Sequence, residues 1–424
     1  MAPRALQFGA GSIGRGFIGA LLTQSGYHVT FADVNQAIID TINQEKEYHI
    51  HILLPDGEET TSTSGTDISG CNSTDEHIID EIVNASIITI AVGPDILKHV
   101  APTLAKGLLQ KRKRSQRSRM NGVEKGAATQ EGMKFLNIIA CENRVGASTL
   151  LKELVLENMN EEDQKYVEEY IGFPNCAVDR IVPPPDQDRL AARKGQEHTT
   201  LDVDVESFYE WIVEKSALKG NPPFPQPVKG MQLTNRLQAY VERKLFTLNT
   251  GHAMTAYLGY LQGCEYIAES IDLVAQVVHQ AMQESGAALQ RKHNFDASQH
   301  AAYIDRIIDR FRNPHLKDEC VRVGREPLRK LGRNDRFIGP AQLCKDYGLP
   351  NKGLCRGIAA AMRYENEDDA QSIELRHRIQ RDGVEKVAME LTGWTEDDRE
   401  IGYIVWNYKD LEKLQVPGRR NSIV

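Results

Sequence analysis

The 424-residue sequence contains no long apolar run: no stretch approaches the ~20 consecutive apolar residues that a membrane-spanning helix requires. Residues 1–8 hold one arginine but lack the apolar segment of a secretory signal. Cysteines are few, seven in all, and they are widely scattered and odd in number, which is unlike a disulfide scaffold. These absences argue against a membrane or disulfide-rich secreted protein, and they predict a cytoplasmic protein with reduced thiols.

An excess of positive charge is also absent, since the formal net charge is −8, and we expect neither a nucleic-acid nor a membrane partner. Apolar residues make up 41% of the chain and charged residues 26%, which is a globular balance rather than a disordered one. At ~100–200 residues per domain, this length predicts two or three domains.

The first 33 residues carry the clearest motif. A short apolar run at 5–8 precedes a glycine-rich turn, an apolar segment of helical spacing, and a second apolar run at 27–32 that ends at Asp33. The turn reads Gly9-Ala10-Gly11-Ser12-Ile13-Gly14. This order of strand, turn, helix, strand and acid is the fingerprint of a dinucleotide-binding βαβ unit, and these turn residues are its predicted cofactor contacts.

Each glycine of such a turn has its own role. Gly9 permits the tight turn, Gly11 lets a pyrophosphate approach the backbone, and Gly14 allows the helix to pack closely on the strand. The N–H groups at the helix N-terminus then face the phosphate charge. Asp33 would accept hydrogen bonds from the adenosine ribose and repel a 2′-phosphate, which favours NAD over NADP, unless it is only a solvated turn acid.

Three further apolar runs, at 85–92, 135–141 and 176–182, predict buried strands. Because ligands bind at the carboxyl ends of parallel strands, we expect Val92 and Gly93 to contact the cofactor. Asn143 follows the second run and is a candidate for a chemical role, although asparagine at a strand end also forms turns. The predicted fold is an α/β Rossmann domain over residues 1–230, with a doubly wound, mostly parallel sheet.

A basic stretch interrupts this half. Six of the nine residues from Lys111 to Arg119 are basic, and the sequence stays polar to about Gly132. We interpret residues 107–133 as a solvated, mobile surface insertion. A nuclear-localisation or nucleic-acid patch is the alternative, but no aromatic residues suited to base stacking accompany it.

After the proline-rich segment at 222–227 the pattern becomes mainly helical, so residues 231–424 are predicted to form a helical substrate-binding and catalytic domain. On a wheel of ~100° per residue, Lys244 lies beside an apolar stripe, with His252 about 80° and Asn249 about 140° away. A lysine at such a position usually extends into water. In a dry cleft, however, desolvation would lower its pKa towards that of a general base.

Tyr240 and Lys244 also form the Y-x-x-x-K pair of the short-chain dehydrogenases, in which tyrosine is the acid/base. Those enzymes are single Rossmann domains, whereas this pair lies in the helical half. We therefore disfavour that alternative.

The sequence resembles the polyol-specific long-chain dehydrogenase/reductase family, and within it the fungal mannitol-1-phosphate 5-dehydrogenases. The matching stretches are residues 8–19, Cys141-Glu142-Asn143, residues 178–183, Lys244-x4-Asn249-x2-His252, and Arg312-Asn313-Pro314 with Asp318 and Arg322. They span almost the whole chain apart from the basic insertion, which the family pattern lacks.

The resemblance implies an NAD-dependent, metal-independent interconversion of D-mannitol 1-phosphate and D-fructose 6-phosphate by a monomer. The site residues that it implies are Lys244 as general acid/base, Asn143 and Asn249 as ligands of the alkoxide, His252 as a substrate contact, and Val178, Asp179, Arg322 and Lys330 as further substrate contacts. This chemistry is consistent, since neutral lysine can accept the hydroxyl proton while amide donors stabilise the developing oxyanion. No closely spaced Cys/His set suggests zinc, and we predict no metal.

Four basic residues fall within nine positions of the helical half and suit a sugar phosphate: Arg322, Arg325, Arg329 and Lys330. The alternative for each is a solvated basic face. If they bind no phosphate, a free-polyol (mannitol) 2-dehydrogenase is the alternative enzyme. A catalytically silent nucleotide-binding module is the alternative from another class, and the retained spacing of Lys244, Asn249 and His252 argues against it.

Overall fold

The computed structural model describes residues 2–63, 67–120, 135–183, 189 and 200–414, with backbone alone at 118–120. The chain forms two compact units, Met1–Leu237 and Gln238–Val424. None of the helices in these described ranges is both long enough and apolar enough to cross a membrane.

Strands and the helices between them build the first unit. Its strands are β1 (Arg4–Phe8), β2 (His28–Asp33), β3 (Tyr48–Leu54), β4 (Gly57–Thr63), β5 (Ile68–Asn72), β6 (Ile87–Ile90), β7 (Leu136–Ala140), β8 (Ile171–Gly172), β9 (Cys176–Asp179), β10 (Val203–Glu206), β11 (Glu210–Glu214) and β12 (Met231–Thr234). Its helices are a π-helix, π1 (Gly14–Gly19), then α1 (Ala20–Gln24), α2 (Gln36–Glu45), α3 (His77–Asn84), α4 (Leu97–Met120), α5 (Ala147–Leu156) and α6 (Glu161–Tyr170), with a 3₁₀ turn at Pro94–Ile96.

The main sheet has six parallel strands in the order β5-β2-β1-β6-β7-β8. Its central strand, β1, pairs Ala5 with Val29 of β2 on one side and with Ile87 of β6 on the other. The central strands are apolar because side chains cover both faces of the sheet. One core forms around Phe17, Leu21 and Phe31, and a second around Leu104 and Ile138. The predicted Rossmann fold is confirmed.

Two smaller sheets complete this unit, in the orders β10-β3-β4 and β12-β11-β9. The strand predicted at 176–182 is β9, which pairs antiparallel with β11 instead of joining the six parallel strands. The physical reason is the short connection between β8 and β9, residues 173–175. A parallel neighbour in the same sheet needs a crossover of about a dozen residues or more.

The basic insertion does not begin where the sequence suggested. Residues up to Met120 continue α4, in which Leu108 is fully buried. Lys111 donates from Nζ to the carbonyl oxygen of Val83 at 2.7 Å, and its burial lowers its pKa to about 8. The interpretation of 107–133 as a solvated segment is therefore wrong at its start, where Leu108 is buried, whereas Lys113, Arg114 and Arg117 are exposed. Residues 121–134 lie outside the described ranges.

The second unit is helical, as predicted. Its elements are α7 (Leu237–Arg243), which starts at the unit boundary, a π-helix, π2 (Lys244–Leu248), and then α8 (Asn249–Leu261), α9 (Ile267–His293), α10 (Ala297–Phe311), α11 (Cys320–Gly324), α12 (Pro327–Lys330), α13 (Ile338–Asp346), α14 (Lys352–Met362), α15 (Ala370–Asp382), α16 (Val384–Thr392) and α17 (Arg399–Leu411), with 3₁₀ turns at Pro314–Leu316 and Glu412–Leu414. The 27-residue α9 is the central element, and α8, α10, α13 and α14 pack against it.

Candidate active site

The glycine-rich turn joins β1 to π1, and its three glycines meet different surroundings. Gly9 has φ +92°, and a Cβ there would lie 2.2 Å from the carbonyl oxygen of Ala91. A Cβ on Gly14 would lie 2.0 Å from the carbonyl oxygen of Gly9, so both positions exclude any side chain. A Cβ on Gly11 would meet nothing within 4 Å. Gly11 therefore leaves the backbone open on the side where a pyrophosphate would approach.

Asp33 stands at the carboxyl end of β2 and is fixed by backbone donors. Its Oδ2 accepts the N–H of Ala10 at 2.8 Å, and its Oδ1 accepts the N–H of Asn35 at 2.9 Å. Gly9, Gly11 and Asp33 line a cavity of about 1170 Å³ at the carboxyl ends of the central strands. The turn for a pyrophosphate, the acid for a ribose and the size of the cavity fit NAD.

Glu142, for which no role was predicted from the sequence, holds the backbone of Val92, a residue that lines this cavity. Its Oε1 accepts the N–H groups of Val92, at 2.8 Å, and of Gly93, at 2.9 Å. Burial raises the pKa of Glu142, and the two backbone hydrogen bonds offset part of that effect. Glu142 thus fixes the predicted cofactor-contacting loop after β6. Its position at a strand end beside Asn143 was the available signal, but its partners were visible only in the fold.

The other predicted residues of the first unit lie in two places. Asn143 follows β7 and is exposed. Val178 and Asp179 are in β9 of the smaller sheet, where Asp179 is buried and Val178 half-buried. The residues predicted for the substrate are therefore not in the main sheet itself.

Lys244 begins π2, and this changes the geometry that the wheel predicted. The N–H of Asn249 donates to the carbonyl oxygen of Lys244, so the two residues are one π turn apart. His252 lies three positions further on in α8, on the same face as Asn249. The predicted separation of about 140° between Lys244 and Asn249 is wrong, because that wheel assumed a regular α-helix. All three side chains lie along one face, and all are half-buried.

A buried threonine and a close contact between helices hold this helical segment in place. Thr250 donates from Oγ1 to the carbonyl oxygens of Phe246, at 2.8 Å, and Arg336, at 2.6 Å. A Cβ on Gly251 would lie 2.5 Å from Sδ of Met282, so the backbone of α8 lies directly against α9. The backbone that carries Lys244 and Asn249 is thus held from both sides.

Tyr240 packs against Arg243 rather than standing apart as an acid/base. The guanidinium carbon of Arg243 lies 4.8 Å from the ring centre of Tyr240 and 4.3 Å from that of Tyr303. These cation–π contacts give Tyr240 a packing role.

His252 is held by an acid. Its Nε2 lies 2.7 Å from Oδ2 of Asp318, and its ring stacks on Phe311 with centroids 5.1 Å apart. The second carboxylate oxygen of Asp318 accepts a hydrogen bond from Arg322. Burial alone would raise the pKa of Asp318, but the interactions with His252 and Arg322 outweigh it and lower that pKa below its usual value.

The basic residues of the predicted phosphate cluster differ in their surroundings. Arg329 pairs through Nε with Glu326 at 2.7 Å, and Nε of Arg325 donates to the carbonyl oxygen of Arg322 at 3.3 Å. Lys330 is buried and donates to the carbonyl oxygen of Arg325. Burial, together with the nearby charges of Arg336 and Arg329, lowers the pKa of Lys330 to about 7.

The sequence matches the mannitol dehydrogenase Rossmann domain over residues 3–225 and the mannitol dehydrogenase C-terminal domain over residues 236–396. The chain belongs to the mannitol dehydrogenase family. The resemblance to polyol dehydrogenases is thereby confirmed at the level of the family. Within the described ranges, no three His, Cys, Asp or Glu side chains are grouped closely enough to hold a metal ion.

Two solved structures resemble this mannitol dehydrogenase family chain over nearly its whole length. A D-sorbitol dehydrogenase in substrate-free form is 15% identical, with 97% of this chain and 94% of that chain covered and a TM-score of 0.77. Pseudomonas fluorescens mannitol 2-dehydrogenase, in a ternary complex with NAD and D-mannitol, is 15% identical, with coverages of 97% and 92% and a TM-score of 0.67. At this identity the likeness is one of fold.

Proposed function

We propose that this protein catalyses the NAD-dependent interconversion of a polyol and its ketose, with Lys244 as general acid/base. The observation that carries the proposal is the π turn that aligns Lys244 with Asn249, followed one α turn later by His252. A base, an amide donor and an imidazole along one face are the groups that oxidation of a secondary alcohol requires.

In this mechanism, NAD held by the glycine-rich turn and Asp33 would supply the acceptor for the hydride of the alcohol carbon. Neutral Lys244 removes the hydroxyl proton, and in the reverse direction its ammonium returns a proton to the carbonyl oxygen. Asn249 donates from its amide to the oxygen on which negative charge develops. Asn143 keeps the role that the resemblance assigns to it, a second amide donor to that oxygen. His252 holds a substrate hydroxyl.

We take a free polyol such as mannitol as the first candidate substrate. The similar structures are of a D-sorbitol dehydrogenase and a mannitol 2-dehydrogenase, which supports this candidate. Three residues of the predicted phosphate cluster support it as well, because their charges or donors already have partners. Arg322 and Arg329 pair with carboxylates, and Lys330 is buried against a carbonyl oxygen.

The second candidate is the pair D-mannitol 1-phosphate and D-fructose 6-phosphate. It is favoured by Arg325, which is exposed and whose side chain bonds to a backbone carbonyl rather than to an acid. Its guanidinium charge suits a phosphate.

The test is NADH oxidation with fructose and with fructose 6-phosphate as alternative substrates. A higher kcat/KM for fructose supports the free polyol, and a higher value for fructose 6-phosphate supports the phosphorylated one. An enzyme that binds NADH but reduces neither compound, nor any other ketose of a substrate panel, contradicts the proposed function.

Replacement of the base gives the second test. Lys244→Met should lower kcat/KM by about 10²–10⁴-fold, the usual contribution of general acid/base catalysis. Its dissociation constant for NADH, measured by fluorescence titration, should stay within about twofold, since the cofactor cleft belongs to the first unit.

Two further variants serve as controls for Lys244→Met. Lys386→Met removes an exposed lysine of α16 and should leave activity unchanged. Tyr240→Phe should also change turnover little. An inactive Tyr240→Phe beside an active Lys244→Met would reverse the assignment of the acid/base.

A further inference from the structure

Asp318 is a buried acid to which the proposed mechanism gives no role. It lies between α10 and α11, and its side chain is 5% exposed. Oδ2 lies 2.7 Å from Nε2 of His252, and Oδ1 accepts a hydrogen bond from Nη2 of Arg322. One carboxylate therefore bridges His252, which the proposed function assigns to the substrate, and Arg322, which the family resemblance assigns to it.

The segment that carries Asp318 is fixed on both sides of the residue. Its carbonyl oxygen accepts the N–H of Ile267 at 2.8 Å, and two positions later the N–H of Cys320 donates to the carbonyl oxygen of Glu265 at 2.8 Å. Because the start of α9 and the start of α11 are joined in this way, the carboxylate has a defined position relative to the backbone.

The His252 ring has little freedom to turn away from this carboxylate. Its face stacks on Phe311, with an angle of 20° between the ring planes, while its edge meets Asp318. With Nε2 engaged by the carboxylate, Nδ1 is the ring nitrogen that remains for a substrate hydroxyl.

We propose that Asp318 is a positioning residue that aligns His252 and Arg322 for polyol binding. Its carboxylate keeps the proton of neutral His252 on Nε2 and holds the Arg322 guanidinium by one of its N–H groups, which leaves the others for the substrate. The inference rests on the proposed function, because substrate contacts of His252 and Arg322 give the alignment its purpose.

The first test is steady-state kinetics of Asp318→Asn, which keeps the shape of the side chain and removes its charge. KM for the polyol should rise about 10- to 100-fold, because misplaced binding groups carry costs of this order. Both kcat and KM for NAD should stay within about threefold. Asp318→Glu, which restores a carboxylate, should recover part of the loss.

The matched control is Asp305→Asn. Asp305 also pairs with a histidine, with Nε2 of His279 at 3.4 Å from its Oδ1, but this pair is on the exposed surfaces of α9 and α10. KM and kcat should be unchanged. If Asp318→Asn also leaves KM for the polyol unchanged, whatever its melting temperature, the role of Asp318 is structural only and the inference is overturned.

A second measurement does not depend on turnover or on the folding of Asp318→Asn. In ¹⁵N-histidine spectra of the wild-type protein at neutral to alkaline pH, His252, assigned by the signal lost in His252→Gln, should carry its proton on Nε2. A proton found on Nδ1 instead overturns the inference. If the wild-type protein reduces no ketose, the proposed function fails, while this spectrum still decides whether Asp318 aligns the ring.

Discussion

Asp33 combines two tasks at the scale of a single residue. Its carboxylate closes the end of β2 onto the glycine turn through Ala10, and the same charge faces the cavity where a ribose would lie. A carboxylate oxygen has room for a second hydrogen bond, so the backbone contacts leave acceptor capacity for ribose hydroxyls. The charge itself would discriminate against a 2′-phosphate.

Asp33→Asn separates these tasks, since it keeps an acceptor for Ala10 and removes the charge. The ratio of kcat/KM with NADP to kcat/KM with NAD should rise about tenfold or more, because a repulsion at close range is lost. Asp40→Asn, an exposed change on α2, is the control. An unchanged cofactor preference in Asp33→Asn would remove the ribose role.

The lowered pKa of Asp318 makes stability depend on pH. In the unfolded chain its carboxyl has a pKa of about 3.9. Because the folded pKa is lower than this, ionised Asp318 stabilises the folded protein above that pH, and this contribution is lost as the pH falls through the folded pKa. Urea unfolding should therefore show Asp318→Asn less stable than wild type at pH 7, with the difference shrinking below about pH 4. A difference that is constant over this range would contradict the assignment.

Residues of the site were predicted from sequence where a motif carries them. The glycine turn and Asp33 have a fixed spacing, and the spacing of Lys244, Asn249 and His252 marks the family. Glu142 and Asp318 lie in stretches that match the family, but their roles could not be predicted, because each acts through partners distant in the chain, 50 positions away for Val92 and 66 for His252. Such pairings arise only when the elements pack.

At the scale of elements, hydrophobic periodicity predicts neither irregular helical turns nor the sheet that a strand joins. The wheel failed at π2 because a repeat of 3.6 residues contains no information about an i→i+5 hydrogen bond. The sheet to which 176–182 belongs was not predictable, because apolar runs predict strands but not the sheet that they join. Once the bounds of β8 are known, the short connection after it excludes β9 as a parallel neighbour of β8.

The N-terminus of α14 supplies an element-scale prediction. Asn351 provides no side-chain cap there; instead Glu284 of α9 accepts the N–H groups of Gly353 and Leu354, both at 3.0 Å. Glu284→Ala should lower the free energy of unfolding by about 1–3 kcal/mol, the cost of unsatisfied buried donors. Urea denaturation measures this. Glu374→Ala, on the exposed side of α15, should change it by less than about 0.5 kcal/mol; equal losses would contradict the capping role.

At the scale of the whole molecule, cofactor binding and the proposed catalytic groups are divided between the two units. The candidate cofactor cavity is built from the first unit, and the proposed base, one proposed amide donor and the imidazole come from the second. The class of each unit was readable from sequence, since a βαβ fingerprint and a change to helical periodicity are local patterns. The β12-β11-β9 sheet was not, because its pairing joins segments far apart in the chain.

Cofactor binding should raise the stability of the folded protein by mass action. At 100 times its dissociation constant, NADH should add about 2.7 kcal/mol to the free energy of unfolding of the part that binds it. Differential scanning fluorimetry should show an upward shift in melting temperature with NADH and a smaller shift with NADPH at the same concentration. Equal shifts with both nucleotides would contradict the preference assigned to Asp33.

The π turn at Lys244–Leu248 also has a consequence for how such sites can be recognised. Steps of five and then three residues keep Lys244, Asn249 and His252 on one side of the helix. At the same spacing, a regular α-helix would turn Lys244 and Asn249 about 140° apart. A variant that lacks one residue between Lys244 and Asn249 would place the two four positions apart in a regular α-helix, again on one face. The π turn thus lets a spacing of five residues align side chains for which a regular helix would need a spacing of four.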